Sequence, residues 1–251
     1  MFRILGGYLM RKKRNRVFYF DEIKGRKILR SDLITEAENF FTTRECCIFS
    51  KTQDMSENKI MIENYLGQKL ATNLPAHGNN ITKIQKDKFV YENTDGLLIE
   101  NKGCCFMNFG DCVPIVFYAD HIGMIVHAGW RGTSQKIVKC AVDKLQTEFH
   151  IKAANIKAVI GPAICAECYE VGREVYDCLY KTVSAHDEIF YTKNDKYHVD
   201  LKNINKQQLI ESGVMEIDVC PYCTACGEKM FFSYRYENHT DLRHSAVLKL
   251  G

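Results

Sequence analysis

The chain has 251 residues, 46% of them hydrophobic and 26% charged, an ordinary globular composition that excludes extensive disorder and suits one large domain or two small ones. A formal net charge of +3 is too small to imply a nucleic-acid surface, and no apolar run approaches the roughly 18 residues of a transmembrane helix. Twelve cysteines follow a start, MFRILGGYLM, whose basic residues come mainly after its apolar ones, the reverse of a secretory signal, so reduced thiols in a cytoplasmic protein are expected.

Taken in order, the basic run Arg11 to Arg16 reads as a solvated turn between two short apolar segments. Val17 to Phe20, Ile28 to Leu33 and Phe40 to Phe49 alternate with charge and read as a meander of strands, with a helical turn near Leu33 to Phe41 and no chemical motif. The spacing of Ile60, Ile62, Tyr65, Leu66 and Leu70 predicts a helix over Glu57 to Leu70. His77 then lies on a turn before a strand over Ile81 to Ile84, where a side chain can point into a site or simply be solvated. Leu97 to Glu100 and Cys104 to Phe109 read as two further strands.

Val113 to Tyr118 and Ile122 to His127 predict a β-hairpin. With Ala119-Asp120 as its turn, Cys112 pairs directly with His127, and their Cβ atoms stand roughly 5 Å apart. A thiol and an imidazole so placed can share a metal ion or act as nucleophile and base. The second strand runs into His127-Ala128-Gly129-Trp130-Arg131-Gly132, and Thr133 is the expected N-cap of a helix whose apolar face is Ile137, Val138, Ala141, Val142 and Leu145. A Gly-rich corner carrying Arg131 at a helix start is a candidate anion site. The plainer reading is that the glycines make a tight corner and Trp130 packs in the core.

Further on, Ile156 to Ile160 reads as a buried strand, Glu170 to Ser184 as a helix, and Asp200 as the cap of a helix over Leu201 to Ser212 that ends at Gly213. Lys229 to Tyr234 and Ala246 to Leu250 are the last expected strands. Strands and helices mixed without strict alternation argue for an α+β protein with a mixed β-sheet core. Cys165-x-x-Cys168 and Cys220-x-x-Cys223-x-x-Cys226 are patterned like a structural zinc ribbon. About fifty residues with two expected helices separate them, more than ribbon spacing, which argues against a shared site.

Asp111-Cys112-Val113-Pro114, HAGWRGT at His127 to Thr133, IGPAI at Ile160 to Ile164, CYEVG at Cys168 to Gly172 and FFSYR at Phe231 to Arg235 resemble, in order, the motifs of the YfiH/laccase-domain family. His77-Gly78 and Asp95-Gly96 match as well. The resemblance implies one domain over residues 1–251, with a sandwich-like mixed β-sheet core flanked by helices. It also implies a zinc-dependent purine nucleoside phosphorylase acting on adenosine, inosine, guanosine or methylthioadenosine, with adenosine deaminase activity. Zinc would be held by His77, Cys112 and His127, a set with one position left open. The catalytic residues would then be Cys112, His127 and Arg131. Arg131, Arg235 and Arg243 would bind substrate, and Trp130 or Tyr169 could stack on the purine. Cys168, Cys223 and Cys226 fall in family motifs that do not bind the catalytic zinc. The chain departs from the family at Pro75, where a Gln is usual, and at Tyr236, Glu237-Asn238 and Asp241-Leu242 around the two later arginines.

Two other classes stay open: a cysteine hydrolase or deamidase using Cys112 and His127, and a non-enzymatic metal-binding module or peptidoglycan-precursor editing factor. The older laccase label implies copper and phenols. Copper is the weaker choice, since eight scattered histidines supply no histidine-rich clusters.

Overall fold

Two strands, Val113–Ala119 and Ile122–Ala128, form the central hairpin of the computed structural model, which describes residues 18–251. Every residue of both strands is buried, because both faces of their sheet are covered; a continuous apolar run follows from that burial. The basic run Arg11 to Arg16, the MFRILGGYLM start and Val17 lie outside the described residues.

In chain order the strands are β1 (Phe18–Ile23), β2 (Arg26–Ser31), β3 (Glu38–Thr42), β4 (Thr72–Leu74), β5 (Ile81–Lys83), β6 (Val90–Glu92), β7 (Gly96–Glu100) and β8 (Gly103–Phe109). The hairpin supplies β9 and β10, and β11 (Lys157–Ile160), β12 (Glu170–Val171), β13 (Phe190–Lys193), β14 (Lys196–Val199), β15 (Glu216–Val219) and β16 (His244–Leu250) follow. The helices are α1 (Ser56–Leu66), α2 (Trp130–Ser134), α3 (Ile137–Phe149), α4 (Arg173–Tyr180) and α5 (Leu201–Glu211).

A five-stranded sheet, β1-β2-β3-β16-β8, faces a six-stranded sheet, β15-β11-β9-β10-β7-β5. Between them lie Leu29, Phe41, Met107 and Leu248 from the first sheet and Leu97, Val116, Ile125 and Val159 from the second. The alternate residues Ile115, Phe117, Met124 and Val126 point the other way and pack under Ile137, Ala141 and Leu145 of α3 and Ile204 of α5. On the outer face of the five-stranded sheet, Ile62 and Leu66 of α1 cover Phe40, Phe106 and Val247. The α+β class with a sandwich-like core is therefore present. Among the described residues no helix is long and apolar enough to cross a membrane.

Several local expectations need correction. The segment near Leu33 to Phe41 has no helical turn; its apolar residues are divided between a loop and β3, whose Phe40 and Phe41 point to opposite faces and are both fully buried. Lys229 to Tyr234 is a loop, held by side-chain bonds such as Ser233 N–H to Glu237 Oε1 at 2.8 Å. The helix expected over Glu170 to Ser184 is shorter, α4, because Glu170 and Val171 pair with β14. The β13/β14 hairpin and β15 carried too few apolar residues to stand out.

Candidate metal centre

The hairpin turns at Asp120-His121, both with positive φ (44° and 62°), the pattern of a tight type I′ turn. The register is Ala119 to Ile122 and Pro114 to His127, so Cys112 lies beyond the strand end opposite Gly129, two residues from the expected partner. A slip of two residues preserves the face, since side chains alternate with period two. Cys112 and His127 are thus diagonal neighbours, not a direct pair. A Cβ added at Gly129 would press on Cys112 Sγ at 3.0 Å and meet His77 Cδ2 at an ordinary contact of 4.0 Å, so glycine here leaves the Cys112 side chain its present space.

His77 sits on an exposed turn with φ of 59°. Fully buried Asp95 fixes that turn: its two carboxylate oxygens accept the N–H groups of His77 at 2.7 Å and Gly78 at 3.0 Å. The carbonyl of Asp95 accepts the N–H of His127 at 2.8 Å, so one residue ties both histidines to the sheet. The imidazole centroids are 5.5 Å apart. His127 stacks on Phe109 at 4.7 Å, and both its ring nitrogens are buried without a hydrogen-bond partner. Buried polar atoms are ordinarily satisfied, so two orphaned nitrogens on one ring call for a ligand.

Burial, reinforced by Asp111, pushes the Cys112 thiol up to about 12, while burial and the neighbouring His77, Arg243 and His244 push His127 down to about 3. A reactive cysteine-histidine pair needs the opposite, a thiolate beside an imidazolium. A neutral imidazole is what a metal takes. Two imidazoles and a thiol are donors that zinc accepts, so the residues present fit that ion. His77, Cys112 and His127 surround Gly129 without converging to metal-ligand spacing. Among the described residues, the ligand atoms that lie within 4.8 Å of one another are the sulfurs of Cys165, Cys168, Cys223 and Cys226. Cys220, fully buried at the end of β15, stays outside that group.

The helix start also differs from expectation. The chain becomes helical at Trp130, with Gly129 in the N-cap position, and Lys136 in the left-handed region separates α2 from α3. Thr133 is interior: its Oγ1 accepts from Asn205 Nδ2 and its carbonyl from Gln208 Nε2, both at 3.0 Å. Arg131 is exposed, its guanidinium 4.3 Å from the Trp130 ring centroid, with no carboxylate in ion-pair range among the described residues. Trp130 itself packs against the core, as the plainer reading had it.

Arg235 and Arg243 form no ion pairs among the described residues. Arg235 lies over the Tyr169 ring at 5.2 Å and donates to the Glu170 carbonyl at 2.8 Å. Arg243 lies over Tyr234 at 5.3 Å and crosses Gly110. Buried Tyr169 has its hydroxyl held well above the usual range by burial and then by Cys112, within the field of Arg235 and Arg131, so the thiol, the ring and two arginines share one region. Two residues with no assigned role emerge here. Asp111 accepts from Thr224 Oγ1 at 2.6 Å and from the Arg235 N–H at 2.7 Å, joining the Cys112 corner to two distant loops. His244, fully buried, stands beside Phe109. The acid next to Cys112 was visible in the Asp-Cys-Val-Pro motif; nothing in the sequence marked His244.

A family model described as multi-copper polyphenol oxidoreductase laccase matches residues 50–250. Purine nucleoside phosphorylase YlmD of Geobacillus stearothermophilus is 36% identical over 188 residues, covering 68% of this chain and 69% of that protein. Adenosine deaminase RL5, from an unknown prokaryotic organism, is 32% identical over 159 residues, covering 61% of this chain and 60% of its own length. The crystal structure of hypothetical protein YfiH from Bacillus licheniformis superposes with a TM-score of 0.85 at 26% identity, covering 92% of this chain and 99% of that one. On these matches the chain belongs to the YfiH family of laccase-like proteins.

Proposed function

We propose that this chain is a zinc-dependent purine nucleoside phosphorylase with adenosine deaminase activity, as the names of its relatives suggest. The observation that carries the reading is His127, a neutral, buried imidazole with both nitrogens unpartnered, on the same face as Cys112 and 5.5 Å from the His77 ring. His77, Cys112 and His127 would hold the ion; His77, exposed on its turn, has the rotamer freedom to close onto it. When bound, zinc would supply a Lewis acid that polarises a substrate atom.

The remaining residues have separable tasks. Arg131, free of carboxylate partners among the described residues, offers its guanidinium to phosphate, whose oxygen attacks the ribose C1′ as the bond to the base breaks. This leaves free base and sugar 1-phosphate. Deamination instead adds water to the purine ring and expels ammonia, and it needs no phosphate. Buried Tyr169 carries Arg235 across its ring and so holds that guanidinium for the nucleoside, while Arg243, in the field of Cys112 and His127, would meet the sugar or phosphate. Zinc suits this mixed nitrogen and sulfur set, while the several histidine-rich sites of a copper laccase have no counterpart in the chain's histidines. None of the twelve cysteines is in a disulfide, which supports a cytoplasmic setting, and the shared core between the two sheets supports a single domain.

Cys112→Ala and His77→Ala test the ligand reading together. Both should lose the zinc of this site and both activities, since each removes one of its three protein ligands. Rapid iodoacetamide labelling of Cys112 in metal-free protein, with turnover intact in His77→Ala, would instead make the protein a cysteine hydrolase.

A further inference from the structure

The sheet topology brings together two cysteine pairs that the chain keeps far apart. β11 and β15 are parallel neighbours, and each runs at its C-terminal end into a loop that carries one Cys-x-x-Cys pair. After β11, Cys165 caps a short 3-10 turn and Cys168 is its last residue, while Cys223 and Cys226 lie on the loop after β15. A bridge between Ala163 and Cys223 extends the pairing and sets the loops side by side. The separation in sequence is therefore no obstacle, because the α4, β13/β14 and α5 segment between the pairs is an excursion that returns to the same sheet edge.

All four sulfurs lie within 4.8 Å of one another, and Cys165 Sγ is 3.7 Å from Cys226 Sγ. Four sulfurs bonded tetrahedrally to zinc at about 2.3 Å stand about 3.8 Å apart, whereas a disulfide needs about 2.05 Å. The backbone is arranged for a charged sulfur as well. Cys223 Sγ accepts the N–H groups of Cys165 at 3.2 Å, Ala225 at 3.3 Å and Cys226 at 3.5 Å. Three donors aimed at one sulfur stabilise a thiolate, the form a metal binds.

The geometry points to a second metal centre in which Cys165, Cys168, Cys223 and Cys226 bind one zinc ion through four thiolates, leaving no open position. It is separate from the His77/Cys112/His127 site and structural in role, since a closed four-sulfur shell has nowhere to bind substrate. Its place explains its use. Tyr169 and Glu170 follow Cys168 directly, Tyr236 donates its hydroxyl proton to the Cys168 carbonyl at 3.3 Å, and Thr224 reaches Asp111 beside Cys112. The ion would clamp the loops on which Tyr169, Arg235 and the Cys112 corner depend.

Purified full-length protein, assayed for metal by mass spectrometry, should carry about two zinc ions per chain. Cys112→Ala should keep one of them, and X-ray absorption of that ion should show a sulfur-only shell at about 2.3 Å. The double variant Cys165→Ser/Cys226→Ser should lose this ion and keep the other; if it does not fold, the Cys112→Ala spectrum decides alone. Nitrogen or oxygen in that shell, no ion in folded Cys112→Ala, iron in place of zinc, or Cys165–Cys226 or Cys168–Cys223 disulfides in non-reduced protein would each overturn the assignment. Failure of the hairpin site instead would leave one sulfur-bound ion that is indifferent to Cys112→Ala, so the two claims separate.

Discussion

Both carboxylate oxygens of Asp95 are spent on the turn that carries His77, accepting its N–H at 2.7 Å and that of Gly78 at 3.0 Å. The carboxylate is fully buried, so the turn and the sheet strand holding His127 are one rigid unit. Asp95→Asn keeps the shape but turns an N–H donor towards a backbone donor. It should cost about 2 kcal/mol of stability in urea unfolding and weaken zinc retention at the hairpin site. A variant as stable and as metal-loaded as the parent would show that the turn is held by other means.

Gly132 approaches the same turn from the other side. A Cβ there would lie 2.8 Å from the Gly78 carbonyl oxygen, a backbone atom that cannot step aside. Gly132→Ala should therefore destabilise by about 1–3 kcal/mol and shift His77 relative to Cys112, seen as reduced zinc content in folded protein.

The hairpin shows how far the sequence could be read. Its two strands, the corner at Gly129 and the neighbourhood of Cys112, His127 and Arg131 follow from apolar runs and motifs that local chemistry makes visible. The register did not, because Ala119 can end a strand or begin a turn, and only the left-handed Asp120 and His121 decide it. The same limit explains Thr133, whose hydroxyl looked like a cap yet serves Asn205 on a helix far along the chain. Pairing of the two Cys-x-x-Cys loops rests on β11 and β15 lying side by side, a long-range fact that spacing cannot report. His244 carried no local signal, since its burial comes from the sheets around it.

That histidine has a measurable consequence. Burial holds His244 neutral, with its pKa pushed down to about 3, partly opposed by its contact with the Pro162 carbonyl. The unfolded chain protonates it near its ordinary value of about 6.5, so stability from this group is full above that pH and is lost as pH falls towards 3. In metal-free protein, His244→Gln should flatten the fall in unfolding free energy between about pH 6 and pH 4 by about 1.4 kcal/mol per pH unit. Equal slopes in the two proteins would mean that His244 is charged in the folded state.

Arg131 should separate the two reactions. Removing its guanidinium takes away a charge-assisted contact to phosphate and leaves deamination without a direct loss. Arg131→Ala should therefore slow base release by about tenfold or more while changing deamination much less. Equal losses in both would place Arg131 on the nucleoside or in the framework of the corner.

The most direct test of the account is chromatography of adenosine, inosine, guanosine and methylthioadenosine after incubation with the zinc-loaded protein, with and without phosphate. Release of free base with formation of sugar 1-phosphate should require phosphate, and conversion of adenosine to inosine should proceed without it. If no nucleoside is consumed at any metal loading while phenols or peptidoglycan precursors are, the purine assignment is contradicted.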